Sequence, residues 1–181
     1  MILRNYQAAV LVLFYGEDLL LFKRTNEVLT HKNQFCFLGG HREYQDKDAL
    51  ATALREFHEE SHLPLESIEV KRELPSLISV SGKKVIPFLA EISLKEEDFF
   101  RHLKSNGEWD MMVALPFAIF QQEKWFKNSF FRPEGGVRDF YSFLLEEKMI
   151  SFCYGKENSV VEEWPLLWGM TAEIIYQLVK N

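Results

Sequence analysis

Three carboxylates and an arginine fall within six consecutive positions of this chain, in Arg55-Glu56-Phe57-His58-Glu59-Glu60. On an α-helix, residues three and four apart share a face, so Glu56, Glu59 and Glu60 project into one arc of roughly 100°. Like charges packed this closely repel and weaken the helix that carries them. A cation relieves that repulsion, and hard divalent ions such as Mg²⁺ bind through a few carboxylates together with substrate phosphates. The chemistry this points to is a magnesium site for a phosphate-bearing substrate. The competing reading is a solvated acidic helix face, which is what most charge runs are.

A helix that presents carboxylates needs a buried side as well. Leu50, Leu54 and Phe57 stand at i, i+4 and i+7 and form an apolar stripe off the acidic arc. The pattern predicts a helix over 48–61, capped by Asp46 or Asp48 and stopped by Pro64. Upstream, Phe37-Leu38-Gly39-Gly40 reads as a short strand entering a tight loop, followed by the polar stretch from His41 to Asp48. Strand, paired glycines and helix then make one unit in which backbone carbonyls and side chains converge.

The rest of the chain supplies a frame for that unit. Strands are expected over 7–15 and 19–22, joined as a hairpin at Gly16-Glu17-Asp18, with a loop over 25–33 and a short strand over 35–38. Further strands are expected over 68–74 and 84–92, meeting near Ser81-Gly82. A helix over 95–105 turns Phe99, Phe100 and Leu103 inward, and a strand over 109–115 and a helix over 116–126 follow. Arg132-Pro133-Glu134-Gly135-Gly136 reads as a loop and 139–145 as a strand. The last helix runs from 168 or 169 to 179, with Met170, Ile174, Ile175 and Leu178 at helical spacing. This irregular alternation predicts an α/β class, with a mixed sheet covered by helices on both faces, in one domain over 1–181.

Composition narrows the partners. Apolar residues make up 47% and charged residues 27%, as in ordinary globular proteins. The net charge is −6, and no basic run exceeds a pair, so a nucleic-acid polymer is not expected as a partner. Aromatics reach 14%, enough for a filled core and a surface on which a base could stack. Cys36 and Cys153 stand among apolar neighbours and read as buried free thiols rather than a disulfide framework. There is no leader-like segment and no apolar run long enough to span a bilayer, which makes a cytoplasmic location the default and a membrane an unexpected partner.

Gly40, Asp46 and Arg55-Glu56-Phe57-His58-Glu59-Glu60-Ser61-His62-Leu63 resemble a Nudix box: a glycine, an acidic residue, then Arg-Glu-apolar-x-Glu-Glu-x-Gly-apolar. The chain departs from that pattern in three places. One extra residue separates Gly40 from Arg55, His62 replaces the closing glycine, and Asp46 stands where glutamate is common. The longer spacing resembles the coenzyme A pyrophosphatase branch of the family. So do Leu20-Leu21-Phe22-Lys23-Arg24 followed by His31-Lys32-Asn33-Gln34-Phe35-Cys36-Phe37, Leu74-Pro75-Ser76 with Val85-Ile86-Pro87, Glu108 eight residues before Pro116, and Trp168-Gly169-Met170-Thr171-Ala172. Against that branch, Leu29 replaces an arginine suited to phosphate, Asn33 a glycine and Leu38 a proline.

The resemblance implies an α/β/α sandwich with a mixed β-sheet. It also implies Mg²⁺-dependent hydrolysis, with Mn²⁺ as a substitute, of a phosphoanhydride in a nucleoside diphosphate-linked small molecule. Coenzyme A or a derivative leads, giving 4′-phosphopantetheine and adenosine 3′,5′-bisphosphate. ADP-ribose or a nucleotide sugar is the alternative, and a non-catalytic nucleotide-binding module is a third reading. Glu56, Glu59, Glu60 and the Gly39 carbonyl are the implied metal ligands, with Arg55 orienting a glutamate. The general base is Glu56, Glu59 or Glu108, and Glu108 is also a candidate ligand. Arg24, His31, Gln34 and Gly40 are candidates for binding substrate. Asp46 either pairs with Arg55 or caps the helix, and His58 reads as a surface or partly buried side chain. Many relatives are dimers, so a homodimer is a further expectation.

Overall fold

Ala8–Tyr15 forms β1, and its alternate side chains sort onto two apolar faces. Ala9, Leu11 and Leu13 belong to one buried cluster, while Val12, flanked by Val10 and Phe14, belongs to another. A strand apolar on both sides must be covered on both sides. The structure is a computed structural model that describes residues 5–27, 32–122, 125–131, 137–155 and 166–180, and only the backbone of 128–131 and 137–140.

One edge of β1 runs parallel to β7, Lys84–Ile92. The other edge is shared. β4, Leu38–His41, pairs antiparallel along Ala8 to Leu11, whereas β2, Asp18–Arg24, pairs only at Phe14 and Tyr15. The two neighbours therefore leave β1 as a fork. β3, Phe35–Cys36, pairs with β2 inside that fork. β2 continues along β8, Trp109–Pro116, which pairs with β11, Phe152–Gly155. β5, Ile68–Glu73, and β6, Leu77–Ile78, pair with β7 to complete a mixed sheet. A second sheet joins β9, Phe126–Phe131, β10, Val137–Leu144, and β12, Leu166–Leu167.

Helices α1, Ala49–Ser61, and α2, Glu96–His102, cover one face through Ala53, Phe57 and Phe99. Helices α3, Ile119–Gln122, and α4, Gly169–Lys180, cover the other through Phe120, Ala172, Ile174 and Ile175. The expected α/β/α sandwich with a mixed sheet is what forms. No helix among the described residues is long and apolar enough to cross a membrane.

Several expectations need correction. The glycine pair is not a loop after a strand; Gly39 and Gly40 lie inside β4, opposite Val10 and Ala9. Gly39 sits at φ 144°, and a Cβ there would run into the Ala9 carbonyl, so strand contact rather than turning selects the glycine. The helix over 116–126 shrinks to four residues, with Pro116 in β8 and Phe126 opening β9. Its apolar residues do not form a helical stripe: Phe117, Phe120 and Trp125 gather in a ring cluster that includes Phe143. The helix over 95–105 ends at His102, yet Leu103 is still buried. On α1 the best-buried side chains are Ala49, Ala53 and Phe57, with Leu50 and Leu54 partly buried beside them. The loop 132–136 lies outside the described residues. Cys153 is exposed on β11, and the Cys36 thiol is buried but stands beside charged groups, so neither is the apolar-buried thiol expected.

His62 ends α1 in the left-handed conformation, φ 58° and ψ 8°, with its N–H donating to the His58 carbonyl at 2.9 Å. That backbone explains why a glycine suits this position, because a Cβ there is strained. His62 also holds the Lys104 carbonyl through Nδ1 at 3.1 Å. His62→Gly is expected to change stability by no more than about 0.5 kcal/mol, the left-handed strain relieved being offset by glycine's extra chain entropy and the lost bond to Lys104. Denaturant unfolding of both proteins measures it.

Candidate active site

The site is built where α1 lies across β4. Glu60 is 4% exposed, and its Oε2 accepts the Gly39 N–H at 2.8 Å. Its own backbone carbonyl accepts the buried Trp109 indole N–H at 2.7 Å, tying this turn of the helix to β8. One turn back, the Glu56 carboxylate packs on Gly40 so closely that a Cβ there would overlap it. Both glycines of β4 are therefore pressed against the helix–strand seam, Gly39 from β1 and Gly40 from Glu56.

These carboxylates carry a large electrostatic load. Burial pushes Glu60 up to about 8; the Gly39 amide and the Arg24 guanidinium counter this, while Glu108 and Glu56 add to it. Burial also raises Glu56, opposed by Arg55 and reinforced by Glu59 and Glu108. A carboxyl in such a place ionises readily only when positive charge stands near it.

Arg55 organises the outer side of the site. Its Nε and Nη2 both donate to Asp46, at 3.1 Å each, and the same Nη2 reaches Glu56 Oε1 and the His41 carbonyl at 3.0 Å. Its Nη1 donates to Glu59 at 3.0 Å across one helical turn. The Asp46 bond is the main reason that Arg55 holds its proton well above the usual range. Asp46 is thus the arginine's partner, and the cap is Asp48, whose Oδ1 accepts the Ala51 N–H at 2.8 Å. Asp46 in turn accepts the Glu43 N–H at 2.8 Å and the Thr52 hydroxyl at 2.9 Å. Thr52 and its partner Tyr6 escape a reading of the sequence, since nothing in their spacing marks them apart from Thr52 lying one turn before Arg55–Glu56.

The expected residues divide as follows. Glu56, Glu60, Gly39, Gly40 and Arg55 come together. Glu59 pairs with Arg55 at an exposed rim, its side chain 53% accessible. Glu108 lies on the loop before β8, close enough to act on both Glu56 and Glu60, with Oε2 3.5 Å from Arg24 Nη2. Gln34 accepts the Arg24 N–H on its backbone carbonyl at 3.0 Å. His31 lies outside the described residues. His58 is exposed and holds the Leu63 carbonyl through Nδ1 at 2.9 Å. Cys36 adds a residue that its apolar neighbours concealed: burial pushes its thiol up to about 12, with Glu60 raising it further and Arg24 lowering it.

A divalent ion fits this donor set. The converging donors are hard oxygens, one carboxylate is buried with a single hydrogen bond to a backbone amide, and Gly40 leaves the room that Glu56 fills. Among the described residues no group of three or more His, Cys, Asp or Glu side chains is gathered closely enough to hold a metal ion by itself. Mg²⁺ keeps several of its waters and does not require a closed protein cage.

A profile of the NUDIX domain matches residues 5–127. The chain belongs to the Nudix hydrolase family. Over 178 residues it is 29% identical to the uncharacterized Nudix hydrolase NudL of Pectobacterium atrosepticum, covering 95% of this chain and 80% of that one. It is 30% identical to NudL of Photorhabdus laumondii, covering 98% and 85%. The mitochondrial Nudix hydrolase 15 of Arabidopsis thaliana is 31% identical over 93% of this chain, which spans 56% of the plant protein. Among solved structures, a C. elegans Ap4A hydrolase complex superposes with a TM-score of 0.51 at 20% identity, covering 62% of this Nudix hydrolase and 83% of that chain. The Nudix hydrolase RenU of M. smegmatis gives 0.50 at 19%, covering 63% and 72%. These structural likenesses bear on the fold; the family assigns the chain to the Nudix pyrophosphohydrolases.

The arginine–aspartate bond also sets an acid limit. Burial acts to raise Asp46, but the bonds from Arg55, Glu43 and Thr52 outweigh it and hold the carboxyl at about 2, below its ordinary 3.8. The folded state therefore binds this proton more weakly than the unfolded chain, so its stabilisation is complete above pH 4 and is lost as pH falls toward 2. Thermal melts of wild type and Asp46→Asn between pH 2 and 6 should show a wild-type advantage that shrinks over that interval.

Proposed function

We propose that this Nudix hydrolase is one domain over 1–181 and cleaves the phosphoanhydride of a nucleoside diphosphate-linked small molecule, coenzyme A or a derivative foremost, with Mg²⁺ or in its place Mn²⁺. The observation that carries the proposal is the buried Glu60 carboxylate on the Gly39 amide, one turn from Glu56 on Gly40. Glu56 and Glu60 would hold the metal, joined by Glu108 from its loop and by the Gly39 carbonyl. Bound there, the metal would neutralise diphosphate charge and lower the pKa of a coordinated water.

The chain's own residues supply orientation and proton transfer. Arg55 fixes the rotamer of Glu56 through Nη2 and is itself fixed by the forked bond to Asp46, a supporting arrangement typical of metal sites. Of the three candidate bases, Glu59 stands outermost, its side chain 53% accessible at the rim, while Glu56 and Glu108 both act on Glu60, which favours Glu56 or Glu108 as acceptor of the water's proton.

One departure from the coenzyme A pattern weighs less than its sequence suggests. Asn33, where that branch has glycine, adopts φ 57°, a left-handed conformation that asparagine tolerates better than most residues. Leu38 is buried in the core. Leu29, which replaces the branch's arginine, lies outside the described residues, and it is the reason to keep ADP-ribose or a nucleotide sugar as the second reading.

Turnover of coenzyme A, acyl-coenzyme A, ADP-ribose, nucleotide sugars and NADH with Mg²⁺ or Mn²⁺ tests this. Coenzyme A should yield 4′-phosphopantetheine and adenosine 3′,5′-bisphosphate, while a faster rate on ADP-ribose would decide for the second reading. Glu56→Gln and Glu60→Gln should each lower kcat by about a hundredfold or more, the scale of losing metal-supplied charge stabilisation. Glu59→Gln should stay within about fivefold, as for an exposed ion pair. No turnover of any compound, with calorimetry showing a nucleotide bound intact, would overturn the hydrolase reading in favour of a binding module.

A further inference from the structure

Arg24 is suited by type to contact a phosphate, but its surroundings suit another task. It is the last residue of β2, and the ladder to β8 slips there: Lys23 faces Met111, while Arg24 faces Trp109. A bulge of this kind re-aims a side chain. The next residues stitch β2 to the loop before β8. The Thr25 N–H donates to the Glu108 carbonyl at 3.0 Å, and the Thr25 hydroxyl donates to the Gly107 carbonyl at 3.3 Å.

The loop is also braced internally. The Asn106 side chain accepts the Glu108 N–H at 3.0 Å and lies 3.4 Å from its carboxylate, and the Ser105 hydroxyl accepts the Gly107 N–H at 3.0 Å. At the centre of this arrangement, Arg24 Nη2 stands 3.5 Å from Glu108 Oε2, and Arg24 Nε is buried with no hydrogen-bond partner among the described residues. The guanidinium is largely shielded, 23% accessible, and its charge acts on Glu60 and Cys36 as well as Glu108. A partly buried guanidinium that faces the Glu108 carboxylate is poorly placed to serve as an open phosphate fork.

We infer that Arg24 is a positioning residue: with the Thr25 stitch it holds the Glu108 carboxylate toward Glu56 and Glu60, and it does not bind the substrate phosphates. This rests on the reading of Glu108 as part of the metal site. Beside its direct charge effect on Glu60, Arg24 then supports metal binding through Glu108, and the loss of binding on its removal requires Glu108 to be present.

Mn²⁺ binding to the substrate-free protein, followed by electron paramagnetic resonance, tests this apart from catalysis. Arg24→Gln and Glu108→Gln should each weaken Mn²⁺ binding by about tenfold, the size usual for a group that orients a ligand, and the double variant should bind no more weakly than Glu108→Gln alone. Tighter or unchanged Mn²⁺ binding in Arg24→Gln would overturn the inference, as would effects that multiply in the double variant. In turnover, Arg24→Gln should lower kcat by at least about tenfold with KM within about threefold; a raised KM at constant kcat would assign Arg24 to the phosphates instead. Should Arg24→Gln unfold, Thr25→Val removes the hydroxyl stitch without changing charge and should weaken Mn²⁺ binding in the same direction, again only when Glu108 is present. Loss of the whole hydrolase reading would show as no turnover by wild type, while the Mn²⁺ coupling would still report on Arg24.

Discussion

The Gly39 amide donating to Glu60 is the interaction on which this arrangement depends. It joins the strand that carries the glycines to the helix that carries the carboxylates. An ionisable group buried beneath a helix is costly unless hydrogen-bonded, and here a backbone donor answers one oxygen. The other elements follow from that constraint. Gly39 must lack a side chain to lie against β1, and Gly40 must lack one to admit Glu56. Trp109 anchors the same turn of α1 from the far side through its indole.

Arg55 solves a second problem, the repulsion among like charges on one helical arc. It answers Glu56 and Glu59 directly, and Asp46 keeps it from swinging away. Asp46 is held by Thr52 and the Glu43 amide, so the chain of support runs from the loop after β4 back into α1. This layering leaves Glu56 and Glu60 on the inner side and Glu59 at the rim. The helix arc alone treats all three carboxylates alike; packing distinguishes them.

Much of this was legible in the sequence because local rules suffice for it. The i, i+3 and i, i+4 spacing of Glu56, Glu59 and Glu60 placed them on one face, and the irregular succession of strands and helices pointed to the covered mixed sheet. What was not legible depends on contacts between distant segments. The glycine pair looked like a turn because glycines usually are turns, and only the approach of Ala9 and Glu56 makes them strand residues. The run from Pro116 to Phe126 was expected as a helix, yet its Phe117, Phe120 and Trp125 serve a ring cluster with Phe143. Cys36 looked like an ordinary apolar thiol because its charged neighbours come from β2, α1 and the loop before β8. His62 looked like a loss of the family glycine, but the backbone that glycine serves is still formed.

The fork at β1 has a mechanical side. β4 carries the glycines on one prong and β2 carries Arg24 on the other, and the two share an edge of β1 on either side of Val12 and Leu13. The gap between the helix carboxylates and the Glu108 loop is therefore set by how far two strands splay from a common stem. Val12 and Leu13 at that stem are wholly buried aliphatic residues, so sheet twist there bears on the width of the site alongside the polar side chains within it.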